Sequence, residues 1–178
     1  MLENTFLTDN IIKEAKVVFW DFDGVIKDSI EVKSDAFEEI FIGFGSKLAS
    51  KVKAHHECNV GMSRFDKLPI YLSWAGIISP SKKLVEEYEN KFSLLVVQKV
   101  MDSEWVEGVL EYLQNNHTSQ QFFLITATPQ KEIEYILMQL KIIDYFQKVV
   151  GSPIQKKIAI KNILNDYSIL TSDAVMIG

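Results

Sequence analysis

The sequence predicts an α/β protein: a doubly wound parallel sheet of the Rossmann-like type, with an α-helical lobe inserted after its first strand. Four short apolar runs, at 17–20, 122–125, 149–150 and 174–177, lack polar alternation, as do strands buried on both faces of a parallel sheet. Helical patterns lie around the later runs. Ile133, Ile136, Leu137 and Leu140 follow i, i+3, i+4, i+7 spacing, and Trp105, Val106, Val109, Leu110 and Leu113 form another apolar face. Alternation of strand and helix defines the doubly wound class.

The interval 29–100 breaks that alternation. Val32, Ala36, Phe37, Ile40 and Phe41 outline one amphipathic helix, and Leu84, Val85, Tyr88, Phe92, Leu95 and Val96 another. The expected organisation is a discontinuous core, 1–28 and 101–178, with a helical cap over 29–100. The chain has 178 residues, of which 47% are apolar and 24% charged, enough for a real core and unlike disordered or collagen-like chains. No apolar run approaches the roughly 18 to 20 residues of a membrane span, and Glu3, Asp9, Lys13 and Glu14 interrupt the stretch a secretory signal would keep apolar. The expectation is a cytoplasmic protein with no membrane partner. Cys58 is the single cysteine, which excludes an internal disulfide and a cysteine-rich zinc site. Nineteen Lys and Arg against 24 Asp and Glu give a net charge of −5, so no nucleic-acid partner is expected and any anionic ligand needs a local positive site.

Asp21-Phe22-Asp23-Gly24-Val25 follows the first apolar run directly. Ligands of open α/β sheets bind at the carboxyl ends of strands, so Asp21 is expected in the crevice. Two carboxylates one residue apart divide labour, one as oxygen nucleophile and the other handling a proton. They repel unless a cation intervenes, and hard oxygen ligands suit Mg²⁺. Gly24 permits a sharp turn; an Asx turn after a strand is the alternative account of this motif. A second strand ends on Thr126, after which Thr128 and Pro129 read as N-cap and first residue of a helix, with the Thr126 hydroxyl and Ala127 amide as donors to an anion. Ser152-Pro153-Ile154-Gln155 has the form of a capping box, which sets Lys156 and Lys157 in the first turns of a helix, where cations oppose the macrodipole unless an anion is near. Solvated lysines are the alternative there.

Together these elements resemble the haloacid dehalogenase superfamily, in the branch with a helical cap that includes phosphoglycolate phosphatase and beta-phosphoglucomutase. Asp21 to Val25 is similar to its first motif, Thr126 to its second, and Lys156, with Lys157 adjacent, to its third. The resemblance implies that Asp21 attacks phosphorus to give an aspartyl-phosphate while Asp23 protonates the leaving oxygen and then activates water. Thr126 and Lys156 would neutralise the phosphoryl charge, and Mg²⁺ would bridge Asp21, the Asp23 carbonyl and substrate. Phe22, Gly24 and Ala127 complete the expected contacts to substrate. A carboxylate at Asp23 favours phosphoester chemistry over halide displacement, since halide needs no proton. The fourth motif, acidic residues completing the metal site, is expected after Gly178, so the chain reads as lacking the C-terminal part of the core, with turnover impaired. Asp166 and Asp173 precede the last strand, at its wrong end to substitute.

In the cap, Lys47, Lys51, Lys53, Arg64 and Lys67 outnumber Glu57 and Asp66. Gly61-Met62-Ser63-Arg64 resembles a substrate-specificity loop, which casts Arg64 as a bidentate clamp on a carboxylate or second phosphate, with Lys67 one turn on. His55 and His56 read as capping or exposed residues rather than metal ligands. The expected function is Mg²⁺-dependent hydrolysis of a small phosphorylated metabolite, a sugar phosphate or phosphorylated hydroxy acid. A phosphomutase and a non-catalytic phospho-ligand-binding module are the alternatives.

Overall fold

The computed structural model describes residues 11–178; residues 1–10, assigned above to the core and including Glu3 and Asp9, lie outside the described residues. Strands β1 (Val17–Trp20), β2 (Gln121–Pro129), β3 (Lys148–Ser152) and β4 (Ala174–Ile177) form one parallel sheet in the order β3-β2-β1-β4. Each apolar run of the sequence is a strand, and the parallel pairing follows from the helices between them. Side chains alternate across β1: Val18 and Trp20 join the larger core, whereas Val17 and Phe19 join a second cluster with Phe123, Ile125, Val150, Ala159 and Ile163. Covering both faces is what makes an unbroken apolar strand stable.

Four helices, α1 (Ile30–Phe41), α2 (Ser46–Cys58), α3 (Arg64–Trp74) and α4 (Lys82–Asp102), fall between β1 and β2, followed by α5 (Val109–Asn116). Phe37, Phe41, Tyr71 and Phe92 pack them together, and their cluster is continuous with one face of the sheet. The two segments joining this insert to the sheet run antiparallel and are bonded to each other, with the Asp28 amide donating to the Glu104 carbonyl at 2.9 Å and the Val106 amide to Ile26 at 3.1 Å. Trp105 and Val106 therefore belong to this pairing and not to the helix their spacing suggested, which begins at Val109. Buried Lys27 lies 4.5 Å from the Trp105 ring, an attraction that needs the two linkers side by side.

Helices α6 (Gln130–Gln139) and α7 (Lys156–Asp166) follow β2 and β3. Both begin later than the sequence suggested. Pro129 still belongs to β2 and caps α6, so Thr128 is not the cap. Ser152 ends β3 and donates to the Ala127 carbonyl at 2.6 Å, while Gln155 is the N-cap of α7 without a side-chain bond. The expected capping box does not form, because Ser152 is needed to tie β3 to β2. Gly151 has the same cause, since a Cβ there would lie 2.5 Å from the Thr128 carbonyl oxygen. Among the described residues β4 is an edge strand, paired with β1 on one side.

Candidate active site

The carboxyl ends of β1 and β4 and the first residue of α7 meet at Asp21. Its amide donates to the Ile177 carbonyl at 2.9 Å, which locks the turn to β4. One carboxylate oxygen, Oδ1, accepts from the Phe22 amide at 2.8 Å, and Oδ2 is in contact with Lys156 Nζ. Lys156 is half-buried and Lys157 exposed, so helix geometry selects between two adjacent lysines. The Phe22 side chain is fully buried, and its amide, expected to face phosphate, is taken by Asp21 in this arrangement. Gly24 has φ +74°, and a Cβ there would come within 2.5 Å of Ile30; only glycine turns the chain into α1 here.

Asp23 sits at the joint between sheet and insert. It accepts from Ser29 Oγ at 2.6 Å, Lys33 Nζ at 2.5 Å and Thr128 Oγ1 at 3.2 Å, and Lys33 also donates to Thr128 at 2.8 Å. Burial pushes the Asp23 carboxyl up, but the Lys33 charge and the three hydrogen bonds together outweigh it, so the group is held below the usual carboxylate range. Lys33, Ser29 and Thr128 were not anticipated. Lys33 carries a legible signal: it stands three, four and seven residues before Ala36, Phe37 and Ile40, on the apolar face of α1. A lysine in such a stripe is buried and needs a partner.

The β2–β3 register shifts between Ile125 and Pro129, arching Thr126 to Thr128 over the strand ends as bulges do near sites. Thr126 is buried, and its hydroxyl accepts from the Thr128 amide at 3.1 Å, which leaves its own hydrogen to donate. Thr126, Ala127 and Lys156 border a cleft of about 260 Å³ whose other wall is Gly61, Ser63 and Asp66.

Arg64 does not present a free guanidinium. It is buried against Phe92, its Cζ 4.4 Å from the ring centroid, and forks onto Glu132 of α6 at 2.5 and 3.0 Å while donating to Ser93 at 2.7 Å. The residue read as a substrate clamp thus joins α3 and α4 to α6. Glu132 had no distinguishing pattern in the sequence. Lys67 is buried with Nζ 2.8 Å from His56 Nδ1. Burial, then the Lys33 charge, lowers Lys67 to about 7 against the opposing pull of Asp23. Burial and the charges of Lys67 and Lys33 lower His56 to about 3. His56 is therefore neither exposed nor a cap. Of the remaining cap lysines, Lys53 pairs with Asp35 at 2.5 Å and Lys51 lies 3.8 Å from the Trp74 ring.

Asp21 and the Asp23 carbonyl offer hard oxygen donors. Among the described residues no group of three or more His, Cys, Asp or Glu is arranged to hold a metal ion. Magnesium nonetheless suits such a pair, since it keeps waters and uses one or two carboxylates with substrate phosphate oxygens. Asp173 pairs with Lys16 and Asp166 with Lys148, at the amino ends of the strands.

This fold and site define a hydrolase class. The sequence model for haloacid dehalogenase-like hydrolases matches residues 18–178, and the chain belongs to that family. No curated protein matches it in sequence. Solved structures are similar in fold. A haloacid dehalogenase-like hydrolase from Bacteroides fragilis has 13% identity and TM-score 0.70, covering 92% of this chain and 78% of its own. A protein described as a predicted phosphoglycolate phosphatase from Haemophilus somnus has 13% identity and TM-score 0.69, covering 92% and 76%. The HAD-hydrolase YfnB from Bacillus subtilis, described as bound to magnesium, has 12% identity and TM-score 0.68, covering 93% and 80%. Among the described residues no helix is long and apolar enough to cross a membrane.

Proposed function

We propose that the protein is a Mg²⁺-dependent phosphatase that hydrolyses a small phosphorylated metabolite through an aspartyl-phosphate on Asp21. The observation that carries this is the meeting of Asp21 with Lys156, 135 residues apart in sequence, at the strand ends where the Thr126 hydroxyl is also buried. The names of the structural neighbours as phosphatases and hydrolases agree.

Asp21 Oδ bonds to phosphorus as the bond from phosphorus to the leaving oxygen breaks. Lys156 and Thr126 donate to the phosphoryl oxygens and hold their charge. The leaving oxygen takes its proton from Asp23. Asp23 is held ionised in this arrangement, so that proton must reach it through the Lys33 contact or as the contact opens around substrate. In the second half, Asp23 accepts a proton from water, which attacks phosphorus and releases Asp21. The Asp21 carboxylate and Asp23 carbonyl would hold Mg²⁺, which supplies further neutralisation of phosphoryl charge when bound.

The test is acid quench of Mg²⁺-loaded enzyme during turnover of an aryl phosphate, followed by borohydride reduction and peptide mapping. Label at Asp21 is expected. Turnover with no label at Asp21, or turnover retained in Asp21→Asn, would overturn the reading.

A further inference from the structure

A small cavity is lined by Asp23 and Thr128 of the sheet side and by Lys33, His56, Arg64 and Lys67 of the insert. Its charges do not cancel. Lys33 has Asp23 and Arg64 has Glu132, each at 2.5 Å. Lys67 makes no such ion pair among the described residues; its neighbour is the imidazole of His56. At 1% exposure it has no access to a solvent counter-ion. If Lys67 donates to Nδ1, the His56 proton resides on Nε2, a buried atom without a hydrogen-bond partner. The Nε2 proton of His56 is thus left without an acceptor and the Lys67 charge without a carboxylate, and an unmatched buried donor is costly.

We infer that Lys67 and His56 read the part of the substrate that remains after phosphoryl transfer, and that this part carries a single carboxylate. The inference rests on the proposed phosphatase reading and narrows its substrate to a phosphorylated hydroxy acid. Two observations favour a carboxylate over other groups. One cation is unbalanced, which one negative charge neutralises. The cavity volume is about 30 Å³, room for roughly two water-sized atoms, as for the two oxygens of a carboxylate but not for a second phosphate. A hydroxyl-only remainder would leave Lys67 uncompensated. Met62 and Ala127 border both this cavity and the cleft beside Thr126 and Lys156, so the two spaces adjoin.

The groups facing Lys67 set a consequence for protons. His56 on α2 contacts it, Lys33 on α1 and Asp23 from the sheet act on its charge, and Arg64 on α3, itself paired with Glu132 of α6, lines the same cavity; with burial, the balance lowers its amine to about 7. A bound carboxylate restores the ammonium, so binding at higher pH takes up a proton.

The experiment is isothermal titration calorimetry of the Mg²⁺-loaded protein at pH 8.5 with two non-hydrolysable probes, 3-phosphonopropionate and 3-hydroxypropylphosphonate, in buffers of differing ionisation enthalpy. The carboxylate probe should bind about 10- to 100-fold more tightly and take up about one proton more. This comparison needs no variant. Lys67→Met should erase most of both differences, and His56→Gln part of the affinity difference. Equal affinity and proton uptake for the two probes would overturn the inference, as would unchanged ratios in folded Lys67→Met. Tighter binding of propane-1,3-bisphosphonate than of the carboxylate probe would overturn the choice of carboxylate. Because the probes are not turned over, carboxylate preference without phosphoenzyme at Asp21 would sink the phosphatase reading alone, and phosphoenzyme without preference would sink this one alone.

Discussion

Replacing Arg64 by methionine should cost stability before it costs specificity. The guanidinium and Glu132 side chains are 5% and 9% exposed and joined by two hydrogen bonds, with a third to Ser93. Methionine keeps contact with Phe92 but strands a carboxylate in a place water does not reach. Breaking one side of a buried pair costs about 3–5 kcal/mol, a large share of the roughly 5–15 kcal/mol that holds a domain together. At a urea m-value of about 2 kcal/mol/M, the midpoint should fall by roughly 1.5–2.5 M. The double variant Arg64→Met/Glu132→Leu should recover most of that loss, since neither partner is then left charged. Equilibrium unfolding of wild type, both singles and the double closes the cycle. A single-variant loss under about 1 kcal/mol, as for an exposed pair, would refute the latch. Selective loss of binding to an anionic substrate at unchanged stability would return Arg64 to the role the sequence suggested.

Asp21→Asn should lower phosphate release from an aryl phosphate by at least about 10³-fold, measured with Mg²⁺ at saturating substrate. Asp23→Asn should hurt alkyl phosphates far more than aryl phosphates, because a good leaving group needs little protonation; equal losses would remove Asp23 as the acid. Lys33→Met, which takes the cation from Asp23 and Thr128, should destabilise the fold and raise the Asp23 carboxyl, seen for alkyl phosphates as an upward shift of the basic limb of the kcat/KM profile, since Asp23 acts there as the acid. Stability should also report Lys67. Its folded value of about 7 lies below its ordinary value of 10.5, so the unfolded chain binds more protons between those values and ΔG of unfolding should rise with pH across that window. That rise should be smaller in Lys67→Met. His56, at about 3 against 6.5, contributes the same sign between those two values, so stability should fall as pH drops below about 6.5, and less so in His56→Gln.

The sheet was legible because its requirements are local. A strand covered on both faces shows an unbroken apolar run, and the helices show as 3.6-residue periodicity, so β1 to β4, α1, α4 and α6 were found from spacing alone. Asp21 and Asp23 were legible for the same reason, being adjacent to a strand end that any open sheet turns into a crevice. Helix starts were less so: the Ser152 and Thr128 hydroxyls had cap-like spacing, but a carbonyl on β2 and the Asp23 carboxylate claimed them. The resemblance pointed to Lys156 with Lys157 beside it, and tertiary structure supplied the physical reason that Lys156 is the amine at Asp21, since helical phase decides which one arrives. It alone gave Arg64 to Glu132, because an ion pair 68 residues apart leaves no periodicity to read. And it alone left Lys67 without a carboxylate. Composition counts the charges, but which cation is buried without its partner depends on where three helices and a strand end meet.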